Sequence, residues 1–378
     1  MKGIKTCDLF CSVVDNYGDI GIASRLARQL RDEHGLQVRL WVDDLQTFNQ
    51  LHTAILIELE TQDWAGVEVR RWAASLPDVI PHDLVIEAFA CELPESFLRA
   101  MAARPLKPVW VNLEYLSAES WVENCHGLPS PHPRLPLIKY FFFPGYTQAT
   151  GGLLREKGLI ETMRDFQNDS GALSKFWQKL AIPMPLKGET RVSLFAYENP
   201  SLPSLLECFA RNDNPVTCLL PMGKALRPAL DFIGVASASA GDRFQHGNLT
   251  LQVLPFLPQS YYDHLLWACD INIVRGEDSF VRAQFAGRPV LWQAYVQEGD
   301  THEKKVEAWL DLYLTGADPA ITEGVQSLSL AWNKGGAVPS DSLKIMANCS
   351  TRAHSWANHL ANLPSLSEAL VKFAINKV

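Results

Sequence analysis

The chain has 378 residues, 47% of them hydrophobic and 20% charged. That is apolar material for two cores, since domains usually hold roughly 100–200 residues, and it argues against disorder. The formal charge of −8 comes from 34 basic and 42 acidic side chains; with no basic surplus and no basic block, a nucleic-acid partner is not expected.

Lys2 and Lys5 precede a short apolar run, but Asp8 interrupts its start and no small-residue cleavage site follows, so no signal peptide is expected. Cys7–Val14 reads as a buried strand. Ile20–Glu33 places Ile20, Ala23, Leu26, Ala27 and Leu30 at helical spacing, and Gly35 follows as a stop. Leu36–Val42, Leu84–Ala90, Val109–Leu113 and Leu137–Phe143 read as further strands, the last ending at Pro144-Gly145. Strand, helix, strand in this rhythm predicts βαβ units and a parallel sheet.

A helix over Ala172–Leu180 leads into Ile182-Pro183-Met184-Pro185-Leu186-Lys187-Gly188, whose two prolines and one glycine read as an interdomain linker. The alternation then restarts. Strands are predicted at Arg191–Tyr197, Val216–Leu220, Leu249–Leu254, Ile271–Val274 and Pro289–Gln293. Helices are predicted at Leu205–Ala210, Ser260–Ala268, Asp278–Ala286 and Glu303–Leu314, and from Asp341 onward the pattern is helical. The expected division is therefore residues 1–182 and 183–378, with the C-terminal helices as candidates for packing back on the first domain. Two doubly wound sheets that face across a cleft would bind ligands near the carboxyl ends of their strands.

No run approaches the ~18–20 apolar residues of a membrane helix. Eight cysteines are dispersed without a Cys-x-x-Cys pair, which predicts a reducing, cytoplasmic compartment with neither a disulfide framework nor a zinc site. His126 and His132 flank a Pro-rich loop and read as loop histidines rather than a metal pair. The dinucleotide fingerprint, the P-loop, Gly-x-Ser-x-Gly and His-Glu-x-x-His are all absent, and so is the Asp-x-Asp that holds a divalent metal on a sugar nucleotide.

Three constellations stand at predicted strand ends. The first is Val14-Asp15-Asn16-Tyr17-Gly18-Asp19-Ile20-Gly21, a turn with two acids between the first strand and the first helix. An ordinary helix N-terminus explains one acid there and leaves the other over. The second is Arg275-Gly276-Glu277-Asp278-Ser279, where a cation, a glycine and the N–H groups of a helix start coincide, as in a phosphate site. Glu277 is out of place beside a phosphate and better suited to a sugar hydroxyl or a cationic substrate. The third is aromatic: Phe195, Tyr197, Phe256, Tyr261 and Tyr262, with Gln259 among them, are able to stack on a nucleobase and read its edge, or else to serve as core.

These strings resemble those of the bacterial elongation factor P arginine rhamnosyltransferases, the EarP family. The likeness begins over residues 8–26 and continues through Asn112-Leu113-Glu114-Tyr115-Leu116-Ser117-Ala118-Glu119, Phe142-Phe143-Pro144-Gly145-Tyr146 and Gly151-Gly152-Leu153. It resumes at Phe195-Ala196-Tyr197-Glu198, Leu254-Pro255-Phe256-Leu257-Pro258-Gln259 and Arg275-Gly276-Glu277-Asp278-Ser279. The resemblance implies an α/β GT-B glycosyltransferase with two Rossmann-like domains. It implies inverting transfer of L-rhamnose from dTDP-β-L-rhamnose to an arginine of elongation factor P. Asp15, Asp19 and Glu277 are then the functional carboxylates. Phe195, Tyr197, Phe256, Gln259, Arg275, Asp278 and Ser279 are the nucleotide site, with Tyr262 a weaker member and Asn16, Tyr17 and Gly18 also on the donor side.

That chemistry suits these residue types. A guanidinium has a pKa above about 12 and a delocalised lone pair, so attack on a sugar carbon calls for carboxylates that orient it and accept a proton. Asp19 is expected as general base and Asp15 as its support; the opposite split, with Glu277 positioning the acceptor, stays open. Glu114 and Tyr115 are candidates for facing the acceptor. No cofactor and no metal are expected, since Arg275 and the helix start would neutralise the diphosphate. Two other readings are a sugar-nucleotide transferase with a non-protein acceptor and a non-catalytic nucleotide-sugar binder; neither a nucleic-acid nor a membrane partner is expected.

Overall fold

A computed structural model describes residues 3–14, 17–73, 79–296 and 301–377. The chain forms two compact units. One comprises residues 1–157 with 363–378, the other residues 158–362.

The first unit carries β1 (Thr6–Cys11), β2 (Gln37–Val42), β3 (Thr61–Trp64), β4 (Val67–Arg71), β5 (Leu84–Ala88), β6 (Val109–Leu113), β7 (Pro129–Pro131) and β8 (Ile138–Phe142). Their order in the sheet is β3-β4-β2-β1-β5-β6-β8-β7. The central pairs β2–β1–β5–β6–β8 are parallel, and the two edges are antiparallel. Pro129 and Pro131 suit an edge, where a missing N–H costs no ladder bond. Phe10, Trp41, Val85, Phe97, Met101 and Trp110 pack together as a core cluster. Two buried carboxylates thread the sheet. Asp8 accepts from Arg39 Nε at 2.6 Å, Trp41 Nε1 at 3.0 Å and the His82 N–H at 2.8 Å. Glu87 accepts from Lys139 Nζ at 2.8 Å and Trp110 Nε1 at 3.0 Å.

The second unit carries β9 (Thr190–Leu194), β10 (Val216–Pro221), β11 (Arg243–His246), β12 (Leu249–Leu254), β13 (Ile271–Arg275) and β14 (Val290–Gln293), in the order β11-β12-β10-β9-β13-β14. All pairs but β11–β12 are parallel. Val192, Leu205, Phe209, Leu251, Ile273 and Trp332 belong to its core.

Both sheets reverse direction at their first strand. β1 has β2 on one side and β5 on the other, and β9 has β10 on one side and β13 on the other. The loops leaving those strands diverge, and open parallel sheets bind ligands at such switch points.

The units divide at Lys157/Gly158, upstream of the Pro-rich stretch 182–188. The helices Leu159–Asn168 and Ser170–Lys179 belong to the second unit. Gln167 explains why: its Nε2 donates to the carbonyls of Trp267 and Ala286 at 3.2 and 3.1 Å. Of the C-terminal helices, Leu366–Ile375 belongs to the first unit, where Phe373 packs edge-on against Phe142 and Tyr140. Ser342–Asn348 and Ser350–Ala361 stay with the second.

Candidate functional site

The second unit brings Phe195, Tyr197, Tyr262 and Gln259 together with the Arg275–Ser279 string around the ends of β9 and β13, whereas the Tyr261 ring lies 4.3 Å from Lys179 Nζ instead. Phe195 directly follows β9 and donates its N–H to the Ile273 carbonyl at 2.9 Å. Tyr197 donates its N–H to Gln293 Oε1 at 2.9 Å. Arg275 ends β13. Its guanidinium carbon lies 4.4 Å from the Phe195 ring centre and 4.5 Å from that of Tyr197. The residue is 7% exposed, and its buried Nη1 has no hydrogen-bond partner. A buried cationic N–H without an acceptor is costly, so an acceptor placed there, an anion above all, would be held strongly.

Around Arg275 the walls are fixed by hydrogen bonds. Gln259 Nε2, at the start of helix Gln259–Ala268, donates to Asp278 Oδ2 at 3.2 Å, at the start of helix Asp278–Phe285. One turn further, Arg282 Nη2 donates to Asp263 Oδ2 at 2.8 Å, so the two helices are tied twice. Gly276 has φ +61°, a left-handed conformation that glycine adopts without strain, and its carbonyl accepts from Trp292 Nε1 at 2.7 Å. The Tyr262 ring meets Phe195 edge-on at 5.5 Å. Its hydroxyl is buried and faces Ser279 but makes no hydrogen bond of normal geometry, and burial pushes the phenol far above its ordinary pKa. Phe256 is partly buried in the loop after β12. Glu277 precedes the helix without a side-chain capping bond. Its Oε1 lies instead 3.6 Å from Lys305 Nζ.

In the first unit, Asp19 sits in the first turn of helix Tyr17–Asp32 and is 1% exposed. Its Oδ2 accepts the Val14 N–H at 2.8 Å. That bond reaches back to the loop after β1. Asp43, just past β2, holds the same loop: Oδ1 accepts the Val13 N–H at 2.9 Å and Oδ2 the Ser12 hydroxyl at 2.5 Å. Tyr17 donates its hydroxyl to Gln50 Oε1 at 2.6 Å. Gly18 lies in the same first helical turn. Asp15 and Asn16 lie outside the described residues.

The end of β5 shows what the sequence reading missed. Phe89 and Ala90 are consecutive non-glycine residues at φ +57° and +55°. Such conformations cost of order 1–3 kcal/mol each and cluster at functional sites. The Phe89 ring stacks on Tyr115 at 4.7 Å, beside Glu114, whose Oε1 accepts from Asn112 Nδ2 at 2.5 Å. Cys91 closes the turn, its thiol directed to the Phe10 carbonyl at 3.4 Å. Loops after β2, β1, β5 and β6 thus form one edge of the first sheet. Burial pushes the Cys91 thiol up to about 12 and raises Cys7 and Cys11 well above the usual thiol value, which disfavours the thiolate form there.

His126 and His132 each serve as backbone acceptors through Nδ1, from Phe143 N–H at 3.1 Å and from Leu135 N–H at 3.0 Å. Among the described residues, no three His, Cys, Asp or Glu side chains converge as metal ligands, and no helix is long and apolar enough to cross a membrane.

The family model for the elongation factor P (EF-P) rhamnosyltransferase EarP matches residues 7–375. The chain belongs to the EarP family. A protein-arginine rhamnosyltransferase of Pseudomonas aeruginosa is 47% identical over 369 residues, covering 97% of this chain and 98% of that protein. One from Neisseria meningitidis serogroup B is 36% identical over 384 residues, covering 97% and 96%. A solved structure concerned with EarP-mediated arginine glycosylation of translation elongation factor EF-P is 34% identical, covers 99% of each chain and has a TM-score of 0.70. Spinosyn rhamnosyltransferase SpnG, solved with thymidine diphosphate, shares 11% identity, covers 98% and 99% and has a TM-score of 0.51; that likeness concerns the fold alone. Two doubly wound α/β units with these neighbours make the fold GT-B.

Proposed function

We propose that the chain transfers L-rhamnose from dTDP-β-L-rhamnose to a guanidino nitrogen of an arginine in elongation factor P, with inversion at the anomeric carbon. The protein-arginine rhamnosyltransferase activity follows from family membership over residues 7–375. The observation that carries the donor assignment is the buried, aromatic-lined Arg275 with its unpartnered Nη1.

The second unit holds the nucleotide. Phe195, Tyr197 and Phe256 offer ring faces to the base, Gln259 an amide for its edge, and Tyr262 and Ser279 hydroxyls. Arg275 and the N–H groups of the helix starting at Asp278 receive the diphosphate.

The first unit engages the acceptor. Asp19 is the general base: as the guanidino nitrogen bonds to C1 of the sugar, the C1–O bond to the diphosphate breaks. The N–H proton passes to the Asp19 carboxylate, and dTDP leaves with the bonding pair. The Val14 N–H occupies part of a group with about four lone-pair sites and fixes its orientation. Asp15 supports Asp19, and Glu277 positions the sugar or the acceptor. Glu114 and Tyr115 stand on the acceptor side, and Asn16, Tyr17 and Gly18 on the donor side.

Arg275 with the helix start supplies the charge that a metal provides in other transferases, so turnover is expected without added metal. Loss of turnover in EDTA and its return with Mg²⁺ would contradict this. The cytoplasm is the proposed compartment, and eight free cysteines support it. The deciding experiment is intact-mass analysis of elongation factor P incubated with the chain and dTDP-rhamnose. One deoxyhexose added, and lost on Arg→Lys substitution of the acceptor residue, is the expected result; an unmodified acceptor with intact donor refutes the reading.

A further inference from the structure

A carboxylate beside a diphosphate site is an electrostatic liability, and Glu277 follows Arg275 by two positions. Its side chain makes no capping bond to the helix that it precedes. What it meets is Lys305, with Nζ to Oε1 at 3.6 Å and side-chain exposures of 19% and 15%. Lys305 belongs to helix Thr301–Leu314, whose His302, Val306 and Trp309 are buried in the second unit. The ammonium is therefore held on a rigid support, far along the chain from the acid it faces.

Partial withdrawal from water makes this pair more than a surface contact, because screening falls with burial. Arg275 ends β13, and Glu277 and Asp278 follow it in the same loop, with Gln259 bonded to Asp278. Lys305 sets a cation against Glu277. Without that ammonium the Glu277 carboxylate would add to the repulsion of a diphosphate at the loop that Arg275 begins. We propose that Lys305 is the counter-charge of the donor site: it neutralises Glu277 so that a nucleoside diphosphate can be held beside Arg275.

Lysine suits this role better than arginine. An ammonium is a compact charge that does not lock a carboxylate bidentately, so Glu277 keeps acceptor capacity for a sugar hydroxyl or a guanidinium. Lys305 is then a positioning residue that acts through Glu277, and it deepens the donor reading, on which it rests.

The test is calorimetric titration of the full chain with dTDP and, separately, with thymidine. Lys305→Met is expected to weaken dTDP at least about tenfold while thymidine changes less than roughly twofold. Lys305→Arg is expected to bind dTDP within roughly threefold of the unsubstituted chain. Adding Glu277→Gln to Lys305→Met is expected to restore most of the dTDP affinity, a rescue that a merely structural lysine would not show. If dTDP binds the Met variant as before, if thymidine is lost in parallel, or if the double variant is no better than the single one, the proposal is overturned while the donor reading stands. If the unsubstituted chain fails to bind dTDP, both fall.

Discussion

The guanidinium carbon of Arg275 lies 4.4 Å from the centre of the Phe195 ring, joining the end of β13 to the end of β9 across the switch point of the second sheet. The ring covers one part of the cation, the protein buries the rest, and Nη1 is left with an unused donor. Arg275→Gln removes a charge-assisted contact that is worth about 1.5–3 kcal/mol, so dTDP should bind roughly ten- to a hundredfold more weakly. Arg275→Lys keeps the charge but loses the planar stack, and its loss should be intermediate. Calorimetry on both variants decides; unchanged affinity in the glutamine variant would make Arg275 a scaffold residue.

Asp19→Asn tests the proposed general-base role of Asp19 apart from its anchoring of the loop. The asparagine carbonyl can still accept the Val14 N–H, so the turn after β1 should keep its shape. General-base loss should lower kcat by about a hundredfold or more with donor affinity unchanged. Steady-state kinetics beside dTDP titration reads both quantities, and near-normal kcat removes Asp19 from the reaction.

Strain at Phe89 and Ala90 predicts a stability gain. Glycine adopts φ near +55° freely, so Ala90→Gly should stabilise the fold by about 1 kcal/mol if alanine is held there only by its neighbours. Thermal melts measure it. A lower melting temperature would show that the alanine methyl carries packing that outweighs the backbone cost.

Lys139 gives a pH signature. Burial raises the pKa of Glu87 even with the Lys139 ammonium at 2.8 Å. A carboxyl whose folded pKa is raised contributes most stability when protonated, below its unfolded value near about 4.3, and loses that contribution as pH rises through the folded value. Lys139→Met strips the ionised form of its partner and steepens that loss. The variant should be destabilised by about 3–5 kcal/mol near neutral pH and by less near pH 5. Urea unfolding at the two pH values checks it, and an equal deficit at both would show that lost packing, not charge, is responsible.

How far the sequence alone reached is clearest at the strand ends. Local apolar runs located β6 at Val109–Leu113 and β12 at Leu249–Leu254 with their observed bounds, because strands buried on both faces are mostly apolar, here broken only by Asn112 in β6 and by Thr250 and Gln252 in β12. The short antiparallel edges β3, β7 and β11 escaped, and so did β4 beside β3, since half-exposed strands carry polar and charged residues that resemble loops. The run Leu84–Ala90 was read two residues too long: composition does not reveal that Phe89 and Ala90 turn left-handed, and Phe89 instead gives its N–H to the Leu113 carbonyl. The Pro-rich stretch 182–188 looked like a joint, but whether a helix crosses to the other unit depends on contacts such as those of Gln167, which no local pattern encodes.

The same divide runs through the site. The sequence by itself determined which chemical groups the loops carry, because Asp19, Arg275 and Glu277 stand in strings whose motif and position in the βα rhythm are local properties. Only the tertiary structure decided what each group faces. Phe195 stacks on Arg275 because β9 and β13 are neighbours in the sheet, and Glu277 meets Lys305 because a distant helix packs beside the loop. Burial and charge pairing are sums over residues remote in sequence, and folding is what brings their terms together.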